Sequence, residues 1–182
     1  MALKATIFKA QLQLADMDRG LYADHALTLA RHPSETDERL MVRLLAWVRH
    51  ADAALAFGKG LSDAEEPDLW RKDLTGAVDL WIEVGLPDER RLLKAAGVAR
   101  RIVVYAYGGR AVALWWQGLP ARVRGLAPLA VWSLAPDTTA ALAALAERSM
   151  RLQCTLQDGQ VWLTGADGVL LVEPEAVKAA AP

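Results

Sequence analysis

Apolar and polar residues alternate from position 11 to 14, and the wider stretch 3–15 carries much of the same two-residue period. That period predicts a strand with one buried face. A polar turn over 16–20 and a second run over 21–30 predict an antiparallel N-terminal hairpin. At His32-Pro33-Ser34 the pattern breaks. Ser34, with Asp37 three positions on, has the form of a capping box. Leu40, Met41, Leu44, Leu45, Trp47 and Val48 then recur at helical spacing, which predicts a helix from Ser34 as N-cap to about Phe57.

A polar loop over 58–67 leads to a short edge strand, 68–72, a turn over 73–76, and a strand over 77–85. Pro87, Asp88 and Glu89 open a helix, proline first and acids in the first turn, that ends near Gly97. Residues 101–107 are nearly all apolar, as in a central strand covered on both faces. A short helix over 110–117, a strand over 129–134 and an alanine-rich helix from Pro136 to near Ser149 follow. Turns at Asp158-Gly159 and Asp167-Gly168 predict C-terminal β-hairpins, and the tail after Glu175 reads as frayed. The strand-helix-strand steps between 68 and 134 predict an α/β fold with parallel pairing. The outer hairpins extend that sheet or form a small second one.

With 182 residues, 53% of them hydrophobic and 24% charged, the chain has ordinary globular composition. Its length suits one domain. No run approaches the roughly 18 apolar residues of a spanning helix. The start, Met-Ala-Leu-Lys-Ala-Thr, lacks a signal peptide's apolar core. Cys154, the single cysteine, excludes an internal disulfide, so the expected setting is the reducing cytoplasm. A net charge of −1 argues against a non-specific nucleic-acid binder, so any such role needs local patches or a metal.

Candidate chemistry starts on the strand Val78-Asp79-Leu80-Trp81-Ile82-Glu83-Val84. Strand parity places Asp79, Trp81 and Glu83 on one face. Unpaired carboxylates are expensive to bury, so two acids here need either partners, Arg90 or Arg91, or a metal ion. Asp79 and Glu83 lie roughly 13 Å apart in a regular strand and reach one ion only if the strand bulges. A hairpin between 68–72 and 77–84 would instead set Asp68 roughly opposite residues 81–83, where it could join Glu83. Lys94, on the following helix, is expected level with Glu83, with Arg90 and Arg91 nearby on a basic face. Glu35 and Glu38 lie one turn apart at the start of the first helix. First-turn acids also suit the helix dipole. His25, His32 and His50 lack zinc-ligand spacing.

A helix acid, Pro67-Asp68, then Glu83 on a strand followed by a basic helix resembles the PD-(D/E)XK nuclease superfamily. More specifically, the chain is similar to the bacterial YaeQ family along essentially its whole length. The resemblance is carried by Met1-Ala-Leu-Lys-Ala-Thr-Ile7, Leu27-Thr-Leu-Ala-Arg-His-Pro-Ser-Glu-Thr36, Glu38-Arg39, Asp79-Leu-Trp-Ile-Glu83, Gly85-Leu-Pro-Asp-Glu-Arg-Arg91 and Lys94-Ala95. It implies a single domain with a restriction-endonuclease-like mixed sheet flanked by helices, core about 34–134, and additional N- and C-terminal β-hairpins. Glu35 or Glu38 then matches the helix acid, Asp68 or Asp79 the aspartate, and Glu83 the central acid. Gly85 stands where the superfamily has lysine, and Lys94 is the substitute.

The implied activity is Mg²⁺-dependent hydrolysis of a nucleic-acid phosphodiester. Its metal ligands come from Asp68, Asp79, Glu83, Glu35 and Glu38. Asp79, Glu83, Lys94 and Glu38 carry the chemistry, and Arg90 and Arg91 bind substrate. The alternative is an inactive nuclease-fold module that binds nucleic acid or a protein partner, with a link to transcription.

Overall fold

The computed structural model describes residues 4–181. In chain order the elements are β1 (Thr6–Asp16), β2 (Leu21–Arg31), α1 (Asp37–Arg49), β3 (Leu55–Phe57), β4 (Leu69–Lys72), β5 (Val78–Val84), α2 (Glu89–Val98), β6 (Ala99–Tyr107), α3 (Arg110–Gly118), α4 (Ala121–Arg124), β7 (Leu129–Leu134), α5 (Pro136–Ala144), β8 (Ser149–Gln157), β9 (Gln160–Gly165), β10 (Gly168–Val172) and β11 (Glu175–Lys178). This is a mixed α/β fold with two mixed sheets and hairpins toward both ends. Among the described residues no helix is long and apolar enough to cross a membrane. The chain falls into two compact units: Met1–Arg49 with Asp137–Pro174, and His50–Pro136 with Glu175–Pro182.

In the first unit the strand order is β10-β9-β8-β1-β2, with β1 and β8 parallel and the other pairs antiparallel. The alternation of β1 is realised: Phe8, Ala10, Leu12 and Leu14 are buried, while Ile7, Lys9, Gln11 and Gln13 are exposed. Every residue of α1 from Leu40 to Val48 is buried, so this helix is covered all round. Its start differs from the prediction. The Thr36 hydroxyl accepts the Arg39 amide at 3.1 Å, which makes Thr36 the N-cap. Ser34 instead meets the His32 ring at 2.6 Å.

The second unit has the order β11-β7-β6-β5-β4-β3, and β5, β6 and β7 run parallel. As its apolar run predicted, β6 is central, and residues 102–106 are buried. On one face Trp81, Ile102, Val104 and Val131 pack with Leu92 of α2, Val112 of α3 and Val123 of α4. The N-cap of α2 is Asp88, which accepts the Arg91 amide at 2.8 Å. Pro87 therefore precedes the helix instead of opening it, and its carbonyl accepts the Trp115 indole N–H at 2.7 Å.

Four further boundaries differ from the sequence reading. Helix α1 stops at Arg49, and Leu55–Phe57 forms β3 on β4. Because β3 covers it, β4 is not the edge strand. Helix α5 ends at Ala144, short of Ser149. The tail is not frayed over Glu175–Lys178, which pairs with β7, and the Lys178 ammonium caps the carbonyls of Leu126 and Leu129 at 2.9 and 2.7 Å.

Candidate functional site

The hairpin of β4 and β5 fixes the site. Leu69 pairs with Ile82 and Trp70 with Trp81. The Asp68 amide donates to the Ile82 carbonyl at 3.1 Å, although Ile82 is already paired with Leu69, so the register slips by one residue there; Asp68 still lies close enough to Glu83 for its charge to act on that carboxyl. Both acids are buried, with 0% exposure at Asp68 and 3% at Glu83. One Asp68 oxygen, Oδ2, accepts the Val84 amide at 2.8 Å.

On Glu83, a single oxygen accepts two hydrogen bonds. Oε1 accepts the Trp81 indole N–H at 2.6 Å and the Arg91 Nε–H at 2.7 Å. Burial lifts the carboxyl from its ordinary 4.5 to about 7. The Arg91 hydrogen bond opposes that rise, and the neighbouring negative charge of Asp68 adds to it. Burial beside a second carboxylate, with one guanidinium from α2, thus sets the Glu83 carboxyl at about 7.

Arg91 reaches further. Its Nη1 donates to the Ala64 carbonyl at 2.9 Å and its Nη2 to the Glu66 carbonyl at 2.7 Å. Lys94, one turn on, pairs with the exposed Glu65 carboxylate. The loop between β3 and β4 is therefore tied to α2 directly beside the two acids. Arg90 is exposed and lines a shallow hollow with Asp88, Glu89, Leu93 and Arg122.

Asp79 does not join Glu83. Arg71 pairs with Leu80 but Lys72 pairs with Val78, so Asp79 is the extra residue of a β-bulge. The bulge breaks the parity expected for β5. Val78 packs toward the Trp81 cluster, and the Asp79 carboxylate is held by Arg71, at 3.0 Å from Nε, and by Arg101 at 3.0 Å. Arg71 and then Arg101 keep its carboxyl below the usual range. Arg71 also binds Asp52 at 3.0 Å.

Glu35 lies in the other unit, buried and engaged. It takes Arg43 at 2.7 and 2.8 Å and Arg39 at 3.0 Å. Arg43 is itself 2% exposed and donates to the Ala30 carbonyl at 2.9 Å. Glu38 is half-buried in the first turn of α1. Among the described residues no group of three or more His, Cys, Asp or Glu side chains forms a metal site.

Gly85, where the resemblance would expect a lysine, has a conformation that favours glycine. Gly85 sits at φ +102°, with no atom within 4 Å of an added Cβ. Space is available, but that conformation is strained for any side chain. Its amide donates to the Tyr105 carbonyl at 2.9 Å, which locks the turn out of β5.

Arg71, Arg101 and Arg43 are the partners that sequence reasoning missed. Arg71 and Arg101 reach Asp79 through a register shift, and Arg43 sits within an otherwise apolar helix. Arg43 carried a signal, because a lone charge in a buried stripe demands a buried counter-charge.

The YaeQ protein family profile matches residues 1–174. A protein of Salmonella typhi described as "Uncharacterized protein YaeQ" is 49% identical over 173 residues, 95% of this chain and 96% of its own. Its Escherichia coli (strain K12) counterpart is 49% identical over 164 residues, 90% of this chain and 91% of its own. The crystal structure of the YaeQ protein from Xanthomonas axonopodis pv. citri superposes with a TM-score of 0.91 at 49% identity, covering 98% of this chain and 99% of that one. The YaeQ protein from Pseudomonas syringae gives 0.91 at 36% identity, over 96% and 97% of the two chains. Similarity over this length, in sequence and in fold, makes the chain a member of the YaeQ family.

Proposed function

We propose that the chain is a Mg²⁺-dependent phosphodiesterase acting on nucleic acid, in a variant of the PD-(D/E)XK arrangement whose working carboxylates are Asp68 and Glu83. The observation that carries this reading is that two buried acids, in the order Pro67-Asp68 and then Glu83, lie close enough for the charge of one to act on the other. Their donor set is chemically apt. Mg²⁺ takes hard oxygen ligands and keeps several waters, so two carboxylates suffice. Burial first, and the charge of Asp68 in addition, lifts the Glu83 carboxyl to about 7. Bound there, Mg²⁺ supplies an acidified water and neutralises charge on the phosphoryl oxygens.

The chain's own groups do the remaining work. Asp68 and Glu83 hold the cation, with Asp68 oriented by the Val84 amide. Lys94, Arg90 and Arg91 on α2 supply cationic charge to the phosphate, Lys94 taking the part of the absent strand lysine. Asp79 and Glu35 serve their arginines and are not ligands in this reading. A cytoplasmic setting is supported by the lone, buried Cys154.

A second reading, an inactive module that binds nucleic acid or a protein partner, is favoured by one observation. Arginines already sit on Glu83, Asp79 and Glu35. Incubation with Mg²⁺ or Mn²⁺ and a panel of single- and double-stranded DNA and RNA separates the two. The first reading expects metal-dependent cleavage that Asp68→Asn and Glu83→Gln abolish and Asp79→Asn spares. Absence of cleavage with every metal, alongside retained binding to a nucleic acid or partner, selects the second.

A further inference from the structure

We propose that Arg91 is the resident counter-cation of the Asp68–Glu83 pair and the strap that holds the 58–67 loop over it, so that a divalent cation enters only as Arg91 leaves. This inference rests on the metal-binding reading above and adds how that site is kept closed.

The loop is built to be moved as a unit. Its ends are pinched together, because the Gly58 amide donates to the Asp68 carbonyl at 2.9 Å. At the same point a Cβ on Gly58 would lie 2.0 Å from the Pro67 carbonyl oxygen. Inside the loop, Lys59 gathers Asp63 and Glu66, each at 3.3 Å, and its own amide donates to Glu66 at 3.0 Å. What ties this package to α2 is Arg91, through the Ala64 and Glu66 carbonyls, and the Lys94–Glu65 pair. The second tie involves an 80% exposed carboxylate and is weak.

Arg91 therefore performs two tasks with one guanidinium. Its Nε neutralises Glu83, while its two Nη groups hold the loop backbone. The planar fork with five donors makes this combination possible, and a lysine could not reproduce it. Because the Glu83 bond and the loop bonds belong to one rigid group, withdrawing Arg91 from the acid also releases the loop. A cation arriving between Asp68 and Glu83 removes the electrostatic reason for Arg91 to stay. The freed guanidinium is then available to a phosphate, an anion it fits bidentately. The device is a competition between an internal cation and an external one.

The test uses the full chain, with Mn²⁺ alone as the probe. Isothermal titration compares the wild type with Arg91→Ala and Arg91→Gln, the latter keeping a hydrogen-bond donor without the charge. Hydrogen exchange follows peptides covering 59–67. Removing an internal competitor raises apparent affinity by the inverse of the open fraction, so Mn²⁺ should bind both variants about tenfold or more tightly than the wild type. Mn²⁺ should also speed exchange over 59–67 in the wild type, and both variants should exchange fast there without it. Equal one-to-one Mn²⁺ affinity in all three proteins overturns the competition while leaving the metal-binding reading intact. No Mn²⁺ binding by any of them, with all three folded by circular dichroism, overturns both.

Discussion

Substituting Glu83 by glutamine separates the burial of a charge from the packing around it. Glutamine keeps the carbonyl oxygen that receives the Trp81 and Arg91 N–H groups, but it cannot ionise. In the folded protein the Glu83 carboxyl titrates near 7, above its ordinary 4.5. The native state therefore holds this proton more tightly than the unfolded chain does. Stability from this group is full below about pH 4.5 and declines as pH rises through 7. Each pH unit of that interval is worth about 1.4 kcal/mol, so the ionised, buried carboxylate destabilises the native state by about 3 kcal/mol at pH 8. Urea denaturation of both proteins between pH 4.5 and 8 gives the difference in unfolding free energy at each pH, in which all other titrating groups cancel. The variant should gain on the wild type by about 3 kcal/mol across that range, most of it before pH 7.5. A difference that stays flat to within about 0.5 kcal/mol would mean that Glu83 is ionised throughout and that Arg91 compensates its burial.

Other expectations concern the scaffold. Thr36→Ala should lower stability by about 1 kcal/mol through the lost N-cap bond, whereas Ser34→Ala should leave α1 unaffected; thermal melts of the two variants distinguish the caps. Glu35→Ala strands the buried Arg43 and should cost about 3–5 kcal/mol in urea denaturation, while a similar loss is not expected for the half-buried Glu38. Gly58→Ala drives a methyl group against the Pro67 carbonyl and should destabilise by about 1–3 kcal/mol, read as a lowered urea midpoint.

Local periodicity carried much of this fold. The alternation of β1 and the apolar run of β6 name their own structure, because burial and hydrogen bonding there depend on near neighbours. That Asp68 falls opposite the 81–83 stretch of β5 was legible too, since a short hairpin limits the register. Elements whose sequence preferred something else were not legible. Residues 51–57 are rich in alanine and read as a continuation of α1, yet pairing with β4 draws 55–57 into a strand. Residues 175–178, Glu-Ala-Val-Lys, carry no strand signal, and only β7 makes them one.

The bulge at Asp79 had the largest consequence for the site. A single extra residue on β5 undoes the parity that put Asp79 on the same face as Glu83, and it hands the acid to arginines eight and 22 positions away. No local pattern encodes that shift. The arginine on Glu83 was among the partners foreseen, but its grip on the 58–67 loop depends on where two backbone carbonyls come to lie. Lys94 was expected level with Glu83, and its carboxylate partner is Glu65, from the same loop.

The claim on which the functional account turns is that Asp68 and Glu83 share one divalent cation. Crystals of the full chain soaked in Mn²⁺ and measured at the manganese absorption edge address it directly. The account predicts an anomalous peak between the two carboxylates, with Arg91 displaced from Glu83. An anomalous map empty at that position at saturating Mn²⁺, with Arg91 still on Glu83, would contradict it.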